Sequence, residues 1–172
     1  MTPDPELDPF FDAVGRLVTA CQILEVWLYY AVEQLVPGFD MFTAEKRLRP
    51  QGCIDRLRLV ASTLSEPDRR DLVDALDAAE EVFETRHQVV HGVHGPTATP
   101  GLRIAIRASL SERDPDGNPV MLRGQLTRER MLRDRDRARD VGGLLQASAT
   151  RWAEFLGLDD DEDDAPSTTP GS

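Results

Sequence analysis

Apolar residues recur at three- and four-residue intervals through Phe10, Val14, Leu17, Val18, Cys21, Leu24, Leu28, Val32 and Leu35. That period predicts a long helix over 7–36 with one buried face, ended by Pro37-Gly38. A stretch of loop composition follows, with one short turn expected around Thr43 to Leu48. After the break at Pro50-Gln51-Gly52, the stripe Ile54, Leu57, Val60, Ala61 and Leu64 predicts a second, shorter helix. Ser65-Glu66-Pro67-Asp68 reads as the start of a third, with Ser65 as N-cap, proline in the first turn and acids at the positive end of the dipole. Its inward face is predicted as Leu72, Leu76, Ala79, Phe83 and Val90, and Gly92 is placed to end it.

The period then changes. Beyond a Gly/Pro/Thr loop over 95–101, Leu102, Ile104, Ile106, Ala108 and Leu110 alternate with Arg103, Ala105, Arg107 and Ser109, which predicts a strand. Asp114-Pro115-Asp116-Gly117-Asn118-Pro119 supplies a turn, and Val120-Met121-Leu122 returns to close a hairpin over about 102–124. Thr127 can cap a last helix reaching Leu156 through Met131, Leu132, Ala138, Val141, Leu144, Leu145, Ala149, Trp152 and Phe155, with Gly142-Gly143 as a candidate kink. The predicted fold class is mainly α: a bundle of about four main helices with a small β-hairpin insertion before the last one. Residues 1–6 read as an N-terminal tail, 7–157 as a single domain and 158–172 as a disordered acidic tail, whose composition cannot bury enough apolar surface to order itself.

Charge alters this picture less than its total suggests. The net charge is -11, yet six acids lie in the run Asp159-Asp160-Asp161-Glu162-Asp163-Asp164, so the remainder carries only about -5. Nineteen of the twenty basic residues are arginine, whose planar fork suits phosphate, and an RNA partner stays open. Cys21 and Cys53 belong to no Cys-x-x-Cys pair, which argues against a disulfide scaffold or a thiolate zinc site and predicts two reduced core thiols. The acidic, proline-bearing start Met1-Thr2-Pro3-Asp4-Pro5-Glu6 is no signal peptide, and no apolar run approaches the roughly 20 residues that span a bilayer. A cytoplasmic location without a membrane partner is the expectation.

Candidate chemistry concentrates at the end of the third helix. Arg86 and His91 stand with four residues between them, about 140° apart around the axis and about 7.5 Å along it, so they can flank a cleft but cannot touch as helix neighbours. Arg86 falls on the apolar stripe between Phe83 and Val90 and should point inward, where an unpaired charge is costly. Glu25, equally out of place between Cys21 and Leu28, is the expected partner; a buried ion pair that only sets helix register is the plain alternative. His91 shares a polar face with Glu80, Glu84 and His87 and can move a proton near neutral pH, though a lone histidine at a helix C-terminus also reads as a dipole-stabilised surface cation.

Two rival patterns remain. Glu84-x-x-His87 followed by His91 is similar to half of a metal-binding helix in a carboxylate-bridged bundle. A second Glu-x-x-His is missing and His94 is the one other histidine, which leaves only a zinc site shared across a dimer. The basic stretch Arg128, Arg130, Arg133, Arg135, Arg137 and Arg139 is interleaved with Glu129, Asp134, Asp136 and Asp140 and reads first as a solvated face with local ion pairs. Arg103, Arg107 and Arg123 on the hairpin, with Arg128 and Arg135, are the candidate RNA-backbone contacts. No Walker loop, dinucleotide fingerprint or nucleophile elbow is present.

Arg86-His87-Gln88-Val89-Val90-His91-Gly92 resembles the Arg-x4-6-His signature of HEPN-domain proteins, with His87 where that family more often has Asn or Asp. The layout is similar too: a long first helix bearing an acid (Glu25), a third helix ending in the motif plus glycine, a strand insertion and a closing helix. The resemblance implies a helical bundle that dimerises so that two motif helices form one cleft. Many members are metal-independent endoribonucleases, several of them toxins or defence effectors, while others are non-catalytic modules that bind a protein or nucleotide. Carried over, it implies Arg86 and His91 as catalytic residues, with His87, Glu25 and Glu84 in support and no cofactor. Implied partners are RNA, a second copy, and a cognate antitoxin or nucleotidyltransferase. A non-catalytic binding module is the alternative reading, and a metal-binding helical bundle the third.

Overall fold

The computed structural model describes residues 7–39, 49–96 and 102–158. Four helices, α1 (Leu7–Leu35), α2 (Pro50–Ala61), α3 (Asp68–His91) and α4 (Arg128–Leu156), accompany three strands, β1 (Val93–Pro96), β2 (Leu102–Arg113) and β3 (Pro119–Thr127). The architecture is mainly helical, with a small antiparallel hairpin before the last helix, as the periodicity predicts. The expectations for residues 1–6, the turn at Thr43 to Leu48, the loop over 97–101 and the tail from 159 onward lie outside the described residues.

α1 and α4 lie side by side and run in the same direction. Trp27 closes on Gly142, where an added Cβ would stand 3.0 Å from the indole Cδ1, and farther along the Tyr30 hydroxyl meets Thr150 Oγ1 at 3.2 Å. α4 is continuous through Gly142-Gly143, so Gly142 serves close approach and no helix break occurs there. The long core seam this creates holds Leu17, Leu24, Leu28, Leu145 and Trp152, all fully buried. α3 packs antiparallel to α4, joined by Arg130 to Thr85, Arg137 to Glu81 and Arg151 to Asp68. α2 is tied to α3 by Arg58, which donates to Asp77 at 2.6 Å and Glu80 at 2.8 Å, while Gln51 adds a bond to Glu80 at 2.9 Å. The Arg58 bond, then that of Gln51, hold the Glu80 carboxyl below the usual carboxylate range. These groups are partly solvated, so they set register more than they stabilise.

Several boundaries depart from the pattern-based expectation. α3 begins at Asp68 with Pro67 at the N-cap and no side-chain cap; Ser65 lies too far outside and contributes its carbonyl, which accepts the Arg69 N–H at 3.0 Å. Thr127 does cap α4, its hydroxyl accepting the Arg130 N–H at 3.1 Å. At the far end Gly157 takes the left-handed conformation with φ 69°, the Leu158 N–H reaches the Ala153 carbonyl at 3.0 Å, and Leu158 turns back towards Leu35, Leu59 and Leu156. That apolar return after a left-handed glycine stops the helix and places Leu158 in the domain instead of a tail.

The sheet has three strands in the order β1-β2-β3. β1 was hidden because His94-Gly95-Pro96 has turn composition; as an edge strand it tolerates both glycine and proline. β3 is longer than the predicted return strand and pairs Ala105 with Gly124 and Leu102 with Thr127, leading straight into α4. The turn between β2 and β3 closes on Asp114, whose Oδ1 accepts the Asp116 and Asn118 N–H groups at 3.0 and 2.8 Å, with Gly117 at φ 83°.

The buried stripe of α3 also differs from the prediction. Leu72, Ala75, Leu76, Ala79, Val82, Thr85 and Val89 face the core, Phe83 is half-buried and Val90 is exposed. Hydrophobicity alone selects Phe83 and Val90, but α4 approaches at Thr85, which is buried and accepts a bond from Arg130.

Candidate functional site

The last turns of α3 carry the motif, and Gly92 fixes where they stop. Its φ of -81° and ψ of 147° need no left-handed conformation, so the glycine is present for a different reason. A Cβ there would stand 2.4 Å from the Gln88 carbonyl oxygen and 3.0 Å from the Ala105 Cβ. Strand β2 thus closes directly on the helix end. Gly92→Ala is expected to cost about 1–3 kcal/mol, the range of an overpacked site. Urea unfolding checks this, and a loss below about 0.5 kcal/mol, the surface range, would refute the close approach.

Arg86 is half-buried, and its Nε is buried without a hydrogen-bond partner. Its charge reaches Cys21, together with those of Asp134 and Glu25. Burial pushes the Cys21 thiol up to about 12, which keeps it a neutral core group, and Cys53 rises to about 11 for the same reason. Both cysteines are free and buried, as expected from their spacing. Ion pairs among the described residues do not join Glu25 to Arg86, contrary to the sequence expectation. The reason lies in the shifted stripe. With Val82, Thr85 and Val89 at its centre, Arg86 sits at the edge of the core contact, and both Arg86 and Glu25 are half-buried.

His91 ends α3 and is exposed; His87 is half-buried one turn earlier, and their ring centroids stand 4.7 Å apart at a 50° tilt. Glu84 accepts a bond from Gln88 Nε2 at 3.0 Å. The opposite end of that amide, Gln88 Oε1, is buried without a partner beneath β3, where a Cβ at Gly124 would lie 2.5 Å away. Sequence reasoning passed over Gln88, although the lone glycine in a strand is itself a sign of close backbone approach.

Glu84 also borders an open groove of about 660 Å³ between α3 and α4, which Asp77, Glu80, Asp134, Arg133 and Arg137 help to line. Arg130 crosses its floor. It donates to Thr85 Oγ1 at 3.1 Å and to the Gln125 carbonyl at 3.0 Å, and its Nε stands 3.7 Å from the buried Asp134 carboxylate. One guanidinium therefore joins α3, β3 and α4. The alternation of Arg and Asp in this segment could not reveal which pair turns inward, and Arg130 was not singled out from sequence.

The candidate RNA contacts separate on inspection. Arg123 and Arg128 are exposed, while the Arg103 guanidinium lies 5.8 Å from the centre of the Phe10 ring. Arg107 is in β2 opposite Leu122, its side chain outside the described set. Arg135 is poorly suited to the role: its side chain is only 18% exposed and binds Asp136 at 2.6 Å. Arg130 and Arg133 also pair within α4, with Asp134, as interleaved charge predicts, whereas Arg137 reaches across to Glu81 on α3. Among the described residues no three His, Cys, Asp or Glu side chains form a metal-binding group, and no helix is long and apolar enough to cross a membrane.

No protein-family model matches this chain, and neither a curated protein nor a solved structure matches it.

Proposed function

We propose that this chain is a metal-independent endoribonuclease of HEPN type, a cytoplasmic toxin or defence effector that works as a homodimer with a composite cleft. The observation that supports this reading most is the pairing, on the last turns of α3, of an exposed imidazole at His91 with a half-buried guanidinium at Arg86 whose Nε has no partner. In the reaction the RNA 2′-oxygen attacks the adjacent phosphorus and the bond from phosphorus to the 5′-oxygen breaks. His91 takes the proton from the 2′-hydroxyl or supplies one to the departing oxygen, and Arg86 stabilises charge growing on the phosphoryl oxygens. Products are a 2′,3′-cyclic phosphate and a 5′-hydroxyl, and DNA resists because it lacks the nucleophile. An antitoxin or nucleotidyltransferase would be the natural protein partner of such an effector.

The test is to incubate the full chain with structured and unstructured RNA in EDTA and identify the ends by mass. Cyclic phosphate ends, and loss of cleavage when the cleaved nucleotide is 2′-deoxy, are expected. Intact RNA under every condition, or a strict monomer by light scattering at micromolar concentration, would overturn the proposal in favour of a non-catalytic binding module.

A further inference from the structure

We infer that His87 and His91 form a two-imidazole chelate for a borderline divalent cation such as Zn²⁺, and that its occupancy switches off the chemistry of His91. The binding half stands on geometry alone; the inhibitory half rests on the proposed RNA cleavage. Metal–nitrogen bonds of about 2.0–2.1 Å put each ring centre roughly 3.2 Å from a shared ion, so two imidazoles at an angle of about 95–110° have centroids about 4.7–5.2 Å apart. The observed separation is 4.7 Å, at the short end of that range. Imidazole suits zinc, copper and nickel over harder ions.

Three surrounding features favour a cation here. The pair occupies the final turns of α3, where the helix dipole attracts positive charge. Glu84 lies on the same stripe, three residues before His87 and seven before His91, and adds negative potential one turn below while it holds Gln88. His91 is exposed, so an ion can enter from solvent. Ligation uses one ring nitrogen of each imidazole and leaves the other for a hydrogen bond, the usual arrangement at metal-bound histidine.

Among the described residues no third His, Cys, Asp or Glu joins the pair, and two protein ligands hold an ion more loosely than the four of a structural zinc site. That is the character of a regulatory site, not a structural one. A lone pair committed to metal cannot accept the proton of a 2′-hydroxyl. Chelators should then activate the protein instead of silencing it.

The experiment titrates Zn²⁺ alone into the full chain by calorimetry, with wild type, His87→Ala and His91→Ala, and with His87→Gln to preserve a polar side chain should alanine disturb folding. Wild type is expected to bind, and each variant to bind more than about tenfold more weakly, a loss of about 1.4 kcal/mol or more. In the cleavage assay, half-inhibition by Zn²⁺ should shift upward by a similar factor in His87→Ala, measured against that variant's own metal-free rate. No uptake by wild type, or equal affinity in a folded His87 variant, overturns the chelate. Binding without any effect on cleavage overturns the switch. RNA left intact with and without metal sinks the nuclease reading, while the titration still decides the chelate.

Discussion

His91→Ala is expected to slow RNA cleavage by about 10²–10⁴-fold, the usual contribution of a positioned general acid or base, with little change in stability. His91 is exposed at the end of its helix, so the variant should unfold within about 0.5 kcal/mol of wild type. Arg86→Ala should cost about 10²–10³-fold, as for the loss of one donor aimed at developing charge. Its effect on folding is the more telling part. Because Nε is buried and unpartnered, removing it relieves a desolvated donor, and stability should stay within about 1 kcal/mol of wild type or rise. The double variant should lose little beyond the worse single one, since groups that act together are not additive. Single-turnover rates and urea melts measure both quantities. A folded His91→Ala protein that cleaves RNA at the wild-type rate would remove the imidazole from the mechanism.

The largest expected effect on stability comes from Trp152→Ala, at about 3–5 kcal/mol. Trp152 is fully buried in the core, and alanine leaves a cavity that two long helices cannot easily collapse. A domain of ordinary stability has only about 5–15 kcal/mol in total. Trp152→Phe should cost much less, because the indole Nε1 is buried without a partner and phenylalanine deletes that unsatisfied donor along with part of the volume. Equal losses for the two substitutions in a urea series would show that a phenyl ring does not refill the place of the indole in the core.

The helical elements were legible because one buried face on a helix imposes its own spacing. α1 and α4 follow their predicted stripes almost from end to end, and the Thr127 cap and the Asp114 turn sit where their chemistry places them. What escaped was set by neighbours distant in sequence. β1 reads as a loop until β2 lies beside it, and Thr85 reads as a polar gap in a stripe until Arg130 arrives to bond it. The placement of the candidate residues was legible in part for the same reason. Arg86 and His91 belong to one helix, so their separation is fixed locally, whereas the supposed Glu25 contact depended on how two helices are rotated against each other. Gly92 was placed correctly as a helix end but for the wrong cause, since its torsions are ordinary and the close approach of the Gln88 carbonyl and Ala105 explains it.

The side-by-side alignment of α1 and α4 has a consequence at the ribosome. The apolar flank of α1 finds its main partner only after some 120 further residues have been translated, which takes about ten seconds at ordinary elongation rates. Until then Leu17, Leu24 and Leu28 lack the cover that α4 gives them in the finished domain. A holdase that captures α1 during synthesis would postpone maturation until the final helix emerges.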